Sequence, residues 1–346
     1  MSVWNGAASG PALVTGGAGF IGSELVTQLV AAGQRVTVLD SLVNGRRENL
    51  AHLPAGRCTL IVGDVRDEHL AGQLLREHCC VFHLACLGVR HSLHAPQETH
   101  EVNASATLSW LRLAHEARAK RFVHVSSSEV YGSAQRAPID ENHPTAPTTV
   151  YGASKLAGEA YALAWHRSWG LPVTVLRPFN AFGPRSHHEG DAGEVIPRMV
   201  LRALAGQPLV VFGDGSQTRD FTHVTDTARG VALAATLASA IGRIYNLASG
   251  REITVLNLAR CIAARCGDRA AAIEHHTARP GDVQRLIGDA TRARNELGFT
   301  AAIGLEAGLD ALIAGYRSLN ASPHELLRAE RLRNWTVEPA VASATP

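Results

Sequence analysis

A chain of 346 residues with 46% hydrophobic content can bury a large core, and it fits one α/β unit with a smaller appended lobe better than two independent domains. Its 33 Lys and Arg nearly balance 31 Asp and Glu, and basic residues such as Arg46, Arg47, Arg118, Lys120 and Arg121 are scattered, which argues against nucleic acid as a partner. Six cysteines without a C-x-x-C pair, no signal-peptide pattern and no apolar run of bilayer length make a reduced, soluble, cytoplasmic protein the expectation, with no membrane partner.

The first apolar run, 12–15, stops at a glycine cluster. Helical spacing follows over 20–32, with Leu25, Leu29 and Val30 on one face; Gly33 stops it, and 35–40 reads as a second strand. Further strands are predicted at 60–62, 81–85, 122–125 and 173–176, separated by helices at 68–78, 104–117 and 151–169. Strands alternating with helices predict an α/β fold: a doubly wound, Rossmann-type parallel sheet covered on both faces. After Arg177 the rhythm changes to Gly, Pro and charge, with a helix at 194–205 and a strand at 209–212. Apolar order returns at 225–237 and 243–247, and 337–346 is small and polar, expected as a loose tail.

The turn between the first strand and helix reads G-x-x-G-x-x-G: Gly16, Gly19 and Gly22, with Phe20 and Ile21 between them. Glycines let a pyrophosphate approach the amides at a helix start, where the dipole favours negative charge. The next strand ends in Asp40, whose carboxylate can accept from both ribose hydroxyls and repels a 2′-phosphate, so NAD is the expected cofactor rather than NADP. Asp64 and Val65 after the third strand would border the adenine, although Asp64 is equally suited to capping the next helix. Leu84 and Ala85 at the fourth strand end, with Asn44, Gly45 and Asn103, complete the expected cofactor contacts. The domain division comes from the same pattern: 1–178 with 222–249 as the NAD-binding Rossmann domain, and 179–221 with 250–320 as a mixed α/β substrate lobe.

Tyr151 and Lys155 lie four residues apart at a helix start, on one face. An ammonium beside a phenol favours the phenolate, as does the positive nicotinamide of NAD⁺, so a Tyr151 pKa pulled down from about 10 is expected, making it a general base. Upstream, Ser126-Ser127-Ser128-Glu129 ends the strand 122–125, and open α/β sheets bind ligands at the carboxyl ends of strands.

The ordered motifs T-G-G-A-G-F-I-G, H-L-A, S-S-S-E-V-Y-G, Y-G-A-S-K, R-P-F-N and Q-T-R-D-F span about Ala12 to Leu312. Together they resemble the extended short-chain dehydrogenases/reductases, the sugar-nucleotide epimerases, dehydratases and decarboxylases. The resemblance implies that Tyr151 is the base for sugar-hydroxyl oxidation, that Lys155 assists it and grips the nicotinamide ribose, and that Ser127 is the catalytic hydroxyl. It implies substrate contact by Asn180 and diphosphate contact by Arg219 and Arg279, the latter followed by Asp282. Bidentate, permanently charged guanidinium suits phosphate, though Arg279 could equally form a surface ion pair.

All members make a 4-ketosugar first, and the fate of that ketone depends on a base at C5. Glu129 matches the glutamate of 4,6-dehydratases, where 4-epimerases carry a small or hydroxyl residue, although it could instead only hydrogen-bond a loop. Ser128 departs from the aspartic acid that glucose-type dehydratases place before that glutamate; other dehydratases of the family, and the UDP-glucuronate decarboxylases, resemble Ser-Glu here. A 4,6-dehydratase-type enzyme is therefore the expectation, with a 4-epimerase, a decarboxylase or a non-catalytic NAD-binding sensor as alternatives. Cys86 is expected near the sugar, and Arg185 opens the loop Arg185-Ser186-His187-His188-Glu189-Gly190-Asp191 that would cover it. No metal is expected there, since adjacent histidines diverge. Outer-face Ala and Leu on 104–117 and 151–169, with the resemblance, imply a homodimer through a four-helix bundle.

Overall fold

The computed structural model describes residues 10–190, 192–267, 272–279 and 283–332; the expected tail over 337–346 and Asp282 lie outside them. Four consecutive fully buried residues make β1 (Ala12–Thr15) a central strand, covered on both faces. It pairs in parallel with β2 (Val36–Asp40) on one side and with β4 (Cys80–His83) on the other. With β3 (Cys58–Val62), β5 (Arg121–Val125), β6 (Val173–Pro178) and β10 (Ile244–Leu247) it forms one seven-stranded parallel sheet, ordered β10-β6-β5-β4-β1-β2-β3. The order reverses between β1 and β4. A cleft at that switch point, beyond the carboxyl ends of the strands, is where doubly wound sheets bind ligands.

Helices cover both faces. One core layer joins the sheet to the helices Phe20–Ala31 and Val224–Thr236 through Leu25, Leu29, Ala228 and Val231. The other joins it to Glu68–Glu77, Ala106–Glu116 and Val150–Trp169 through Leu74, Leu75, Trp110 and Ala162. The long helix Val150–Trp169 is capped by the Thr149 side chain, which accepts from Gly152 N–H, and stops at left-handed Gly170.

The second core belongs to the lobe. There β7 (Asn180–Phe182) and β11 (Glu252–Thr254) flank β9 (Thr218–His223), while β8 (Leu209–Phe212) pairs in parallel with β12 (Ile273–His276). The helices Val195–Leu204, Val255–Cys266 and Leu305–Arg317 pack around them through Ile196, Leu258 and Leu309. Among the described residues no helix is long and apolar enough to cross a membrane.

Two predicted bounds shift for physical reasons. β4 ends at His83, not at 85, because Leu84 N–H makes a final bond to Thr15 O (3.1 Å) before the chain turns out along the cleft. The helix predicted over 104–117 is regular only from Ala106, after a wider turn over 101–105 that carries buried Asn103.

Candidate functional site

One cleft of about 860 Å³ runs from the glycine turn to the lobe strands β8 and β9. At its sheet end, Gly16 sits at φ +69°, and a Cβ there would lie 2.7 Å from Ala85 N; a Cβ on Gly22 would lie 2.1 Å from Gly16 O. Only glycine fits either place, and the amides of the helix Phe20–Ala31 are left open to the cleft. Asp40 closes this end: its Oδ2 accepts from Ala18 N–H and its Oδ1 from Leu42 N–H, both at 2.9 Å. A Cβ on Gly45 would lie 2.5 Å from Asp40 Oδ1, so the following loop is also drawn in tightly.

Of the residues expected at the cofactor, Gly16, Gly19, Phe20, Ile21, Gly22, Asp40, Asn44, Gly45, Asp64, Val65, Leu84, Ala85 and Tyr151 line the cleft. Asp64 holds Arg66 through Nε and Nη2, at 3.0 and 2.6 Å, and this pairing keeps its carboxyl below the usual range. It is no helix cap; that place is taken by Asp67, which accepts from Leu70 N–H. Two residues stand behind the wall. Asn103 is fully engaged in binding Leu87 N–H (2.8 Å), Leu87 O (2.9 Å) and Ser154 Oγ (3.0 Å), so it pins the post-β4 loop to the helix Val150–Trp169. Lys155 is buried with Nζ donating to Val125 O at 2.6 Å.

At the middle of the cleft, Ser127, Ser128, Glu129, Tyr151 and Cys86 share one wall. Tyr151 hydrogen-bonds Ser127, with the Cys86 thiol and the Glu129 carboxylate as charged or chargeable neighbours. The protein's own groups do not lower the Tyr151 pKa. Burial holds the phenol well above its ordinary value, Cys86 and Glu129 push the same way, and only the Ser127 hydrogen bond opposes them. The reason lies in Lys155, whose ammonium is turned onto the β5 carbonyl and is itself held below its ordinary pKa by burial.

The lobe end is lined by Asn180, Arg219, Arg279 and Phe212. Asn180 Oδ1 is buried without a hydrogen-bond partner among the described residues, an acceptor left for a ligand. Arg219 is held by the carbonyls of Thr218 (2.8 Å) and Val283 (2.6 Å), and Arg279 lies 5.9 Å over the Phe212 ring. Arg185 is a correction: it leaves the cleft wall and pairs with Glu24 on the first helix, with further bonds to Thr27 Oγ1 and Asn49 O.

From the same loop His187 does line the cleft, while His188 stacks edge-on against Tyr316 and is pushed down to about 4 by burial and by Arg46. Among the described residues no group of three His, Cys, Asp or Glu could hold a metal. Sequence reasoning missed Arg90, Glu194, Arg198, Arg202 and Glu330, all of which line the cleft. The i, i+4 spacing of Arg198 and Arg202 placed them on one helical face, but nothing local said that the face was inward.

The comparisons agree with this geometry. The model of the family described as GDP-mannose 4,6 dehydratase matches residues 13–312. A dTDP-glucose 4,6-dehydratase of Streptomyces niveus is 37% identical over 318 residues, covering 89% of this chain and 93% of its own. A UDP-glucose 4-epimerase of Mycolicibacterium smegmatis is 35% identical over 310 residues, covering 88% and 98%. Among solved structures, a dTDP-glucose 4,6-dehydratase of Streptomyces venezuelae with NAD bound superposes with a TM-score of 0.84 at 34% identity, covering 89% of this chain and 97% of that one.

Proposed function

The chain belongs to the GDP-mannose 4,6-dehydratase family of extended short-chain dehydrogenases/reductases, NAD-dependent sugar-nucleotide enzymes, and we propose that it is a 4,6-dehydratase of a nucleoside-diphosphate hexose. The observation that carries the proposal is Glu129, a carboxylate on the same cleft wall as Tyr151 and Ser127. The cradle fits NAD: glycines where any Cβ would collide, and an acid, Asp40, at the end of β2. When bound there, NAD would supply the hydride acceptor and donor for the sugar, and the positive charge that a phenol held up by burial needs in order to ionise.

The chain's own residues supply the proton chemistry. Tyr151, through its hydrogen bond with Ser127, accepts the O4 proton as C4 becomes a carbonyl. Lys155 is one helical turn from Tyr151, and rotating Nζ from the Val125 carbonyl toward the cleft would bring its charge to bear. The new ketone acidifies C5–H, which Glu129 removes. The same proton, now on Glu129, leaves with the C6 hydroxyl as water, so no separate acid is required where Ser128 stands in place of the aspartic acid; Glu129, reprotonated from solvent, then gives a proton to C5 as C6 takes the hydride. Asn180 offers its unpaired Oδ1 to a sugar hydroxyl, and Arg219 and Arg279 take the diphosphate.

A second reading is a 4-epimerase, in which Glu129 only binds and the ketosugar turns over before reduction at C4; the 35% identity to a UDP-glucose 4-epimerase favours it. Incubation with UDP-, dTDP-, GDP- and ADP-hexoses in D₂O, followed by NMR, decides between them. A 6-deoxy-4-keto product carrying deuterium at C5 is expected. An inverted C4 without deuterium would make the enzyme an epimerase.

The protein acts as a homodimer in the same proposal. Leu108, Val150 and Trp169 are exposed on the two helices Ala106–Glu116 and Val150–Trp169, and Trp165 stacks on Trp169 with centroids 4.1 Å apart. Such a face suits a second copy of itself. Sedimentation of Leu108→Glu against the parent chain tests it, monomer against dimer being the expected result.

A further inference from the structure

The residues 323–332 lie beyond the stretch matched by the family model, and they return to the substrate lobe. A short helix, Pro323–Leu326, opens with a capping box between Ser322 and Glu325. Leu327 then enters the lobe core, and Ala329 O accepts from Gly190 N–H at 2.7 Å, which joins this segment to the loop 183–194. Glu330 turns inward. Its Oε1 accepts from Arg198 Nε at 3.2 Å and its Oε2 from Arg202 Nη1 at 2.8 Å. Arg198 Nη2 donates to Arg331 O at 2.7 Å, and Arg202 Nε to Pro208 O at 2.6 Å.

These three side chains are only 8–12% exposed, yet all of them, with Leu332, face the cleft that also holds Arg219 and Arg279. One carboxylate shared by two guanidiniums one helical turn apart leaves a net positive charge. It also fixes the direction of two forks that would otherwise repel each other. Among the described residues none of their hydrogen bonds uses Arg198 Nη1 or Arg202 Nη2, so each fork keeps donors for an anion.

We propose that Glu330 is a positioning residue that aims Arg198 and Arg202 at the phosphate-bearing, nucleotide part of the substrate, and that the segment 327–332 is thereby a wall of the nucleotide site. This rests on the nucleoside-diphosphate sugar reading above. The sugar chemistry belongs to the β5 end of the cleft, and the four arginines gather at the lobe end, so the anion they meet there is the diphosphate and its nucleoside.

Calorimetric titration of the NAD-loaded full chain with UDP, dTDP, GDP and ADP separates the two ideas without relying on turnover. The parent chain is expected to bind at least one of the four. In Glu330→Gln that affinity falls about tenfold, the worth of one charge-assisted hydrogen bond, while NAD affinity stays unchanged. Arg202→Lys keeps the charge and loses the fork; it falls in the same direction and decides the matter should Glu330→Gln fail to fold. Faster deuterium exchange at Gly190 N–H in Glu330→Gln is the accompanying structural sign. Nucleotide affinities within twofold of the parent in the folded variants would overturn the proposal, whereas no binding by the parent chain would overturn the nucleotide-sugar reading itself.

Discussion

The helix that carries Tyr151 and Lys155 is fastened to the sheet by a buried ion pair, and removing one partner tests how much that fastening contributes. Glu159 lies one turn beyond Lys155, and Arg177 on β6 grips it through Nε (3.0 and 3.1 Å) and Nη2 (2.6 Å). The side chains are 2% and 4% exposed. Arg177 Nη1 also donates to Tyr131 Oη at 2.9 Å, and Tyr131 donates to Asn246 Oδ1 at 2.7 Å, so the pair ties the helix to the turn bearing Glu129 and to β10. Glu159→Gln removes the charge and keeps one acceptor, leaving a guanidinium desolvated and half-partnered. Breaking a buried pair in this way costs about 3–5 kcal/mol, and the retained amide oxygen puts the expected loss near the lower figure, about 3 kcal/mol. Replacing both members with apolar residues, Glu159→Leu with Arg177→Met, removes both desolvation penalties, and the double variant is expected to lose less than Arg177→Met or Glu159→Leu alone. Urea unfolding of the parent, the single variants and the double closes the cycle. A loss below about 1 kcal/mol for Glu159→Gln, or additive losses in the double, would refute the claim that the pair is a coupled, buried unit.

Other consequences are read more directly. Gly16→Val places a Cβ 2.7 Å from Ala85 N at a φ of +69°, so NAD retention through purification should be lost; a variant that keeps its cofactor would contradict the cradle. Tyr151→Phe keeps the ring and removes the acceptor of the O4 proton, and kcat should fall by about 10²–10⁴-fold with NAD affinity intact, measured by turnover and fluorescence titration. Glu194 is raised from 4.5 to about 8 by burial, with Arg90 opposing. A folded-state pKa above the unfolded one gives stability that is complete below pH 4.5 and drains away as pH rises through 8. Glu194→Gln should therefore melt increasingly higher than the parent between pH 5 and 9, and a gap that does not change with pH would contradict the assignment.

What could be read from the chain alone divides according to how many elements it takes to place a residue. The glycine turn, the pair Asp40 and Gly45, the run Ser127 to Glu129, and Tyr151 each sit on a single strand end, loop or helix start, and local periodicity was enough to bring them to the switch point of the sheet. Arg185 failed because its partner, Glu24, lies 161 residues away, and no local pattern announces an ion pair across that distance. The share of the Tyr151 acidity expected from Lys155 was misjudged for a related reason. Spacing placed Lys155 one turn away, but burial and the Val125 carbonyl, both products of packing against β5, decide where the ammonium points and how costly a phenolate is. Arg198 and Arg202 show the intermediate case: the i, i+4 register was plain, and the direction of the face depended on Glu330, 128 residues beyond Arg202. Chemistry carried by one element was thus legible, and chemistry that needs a second element to aim it was not.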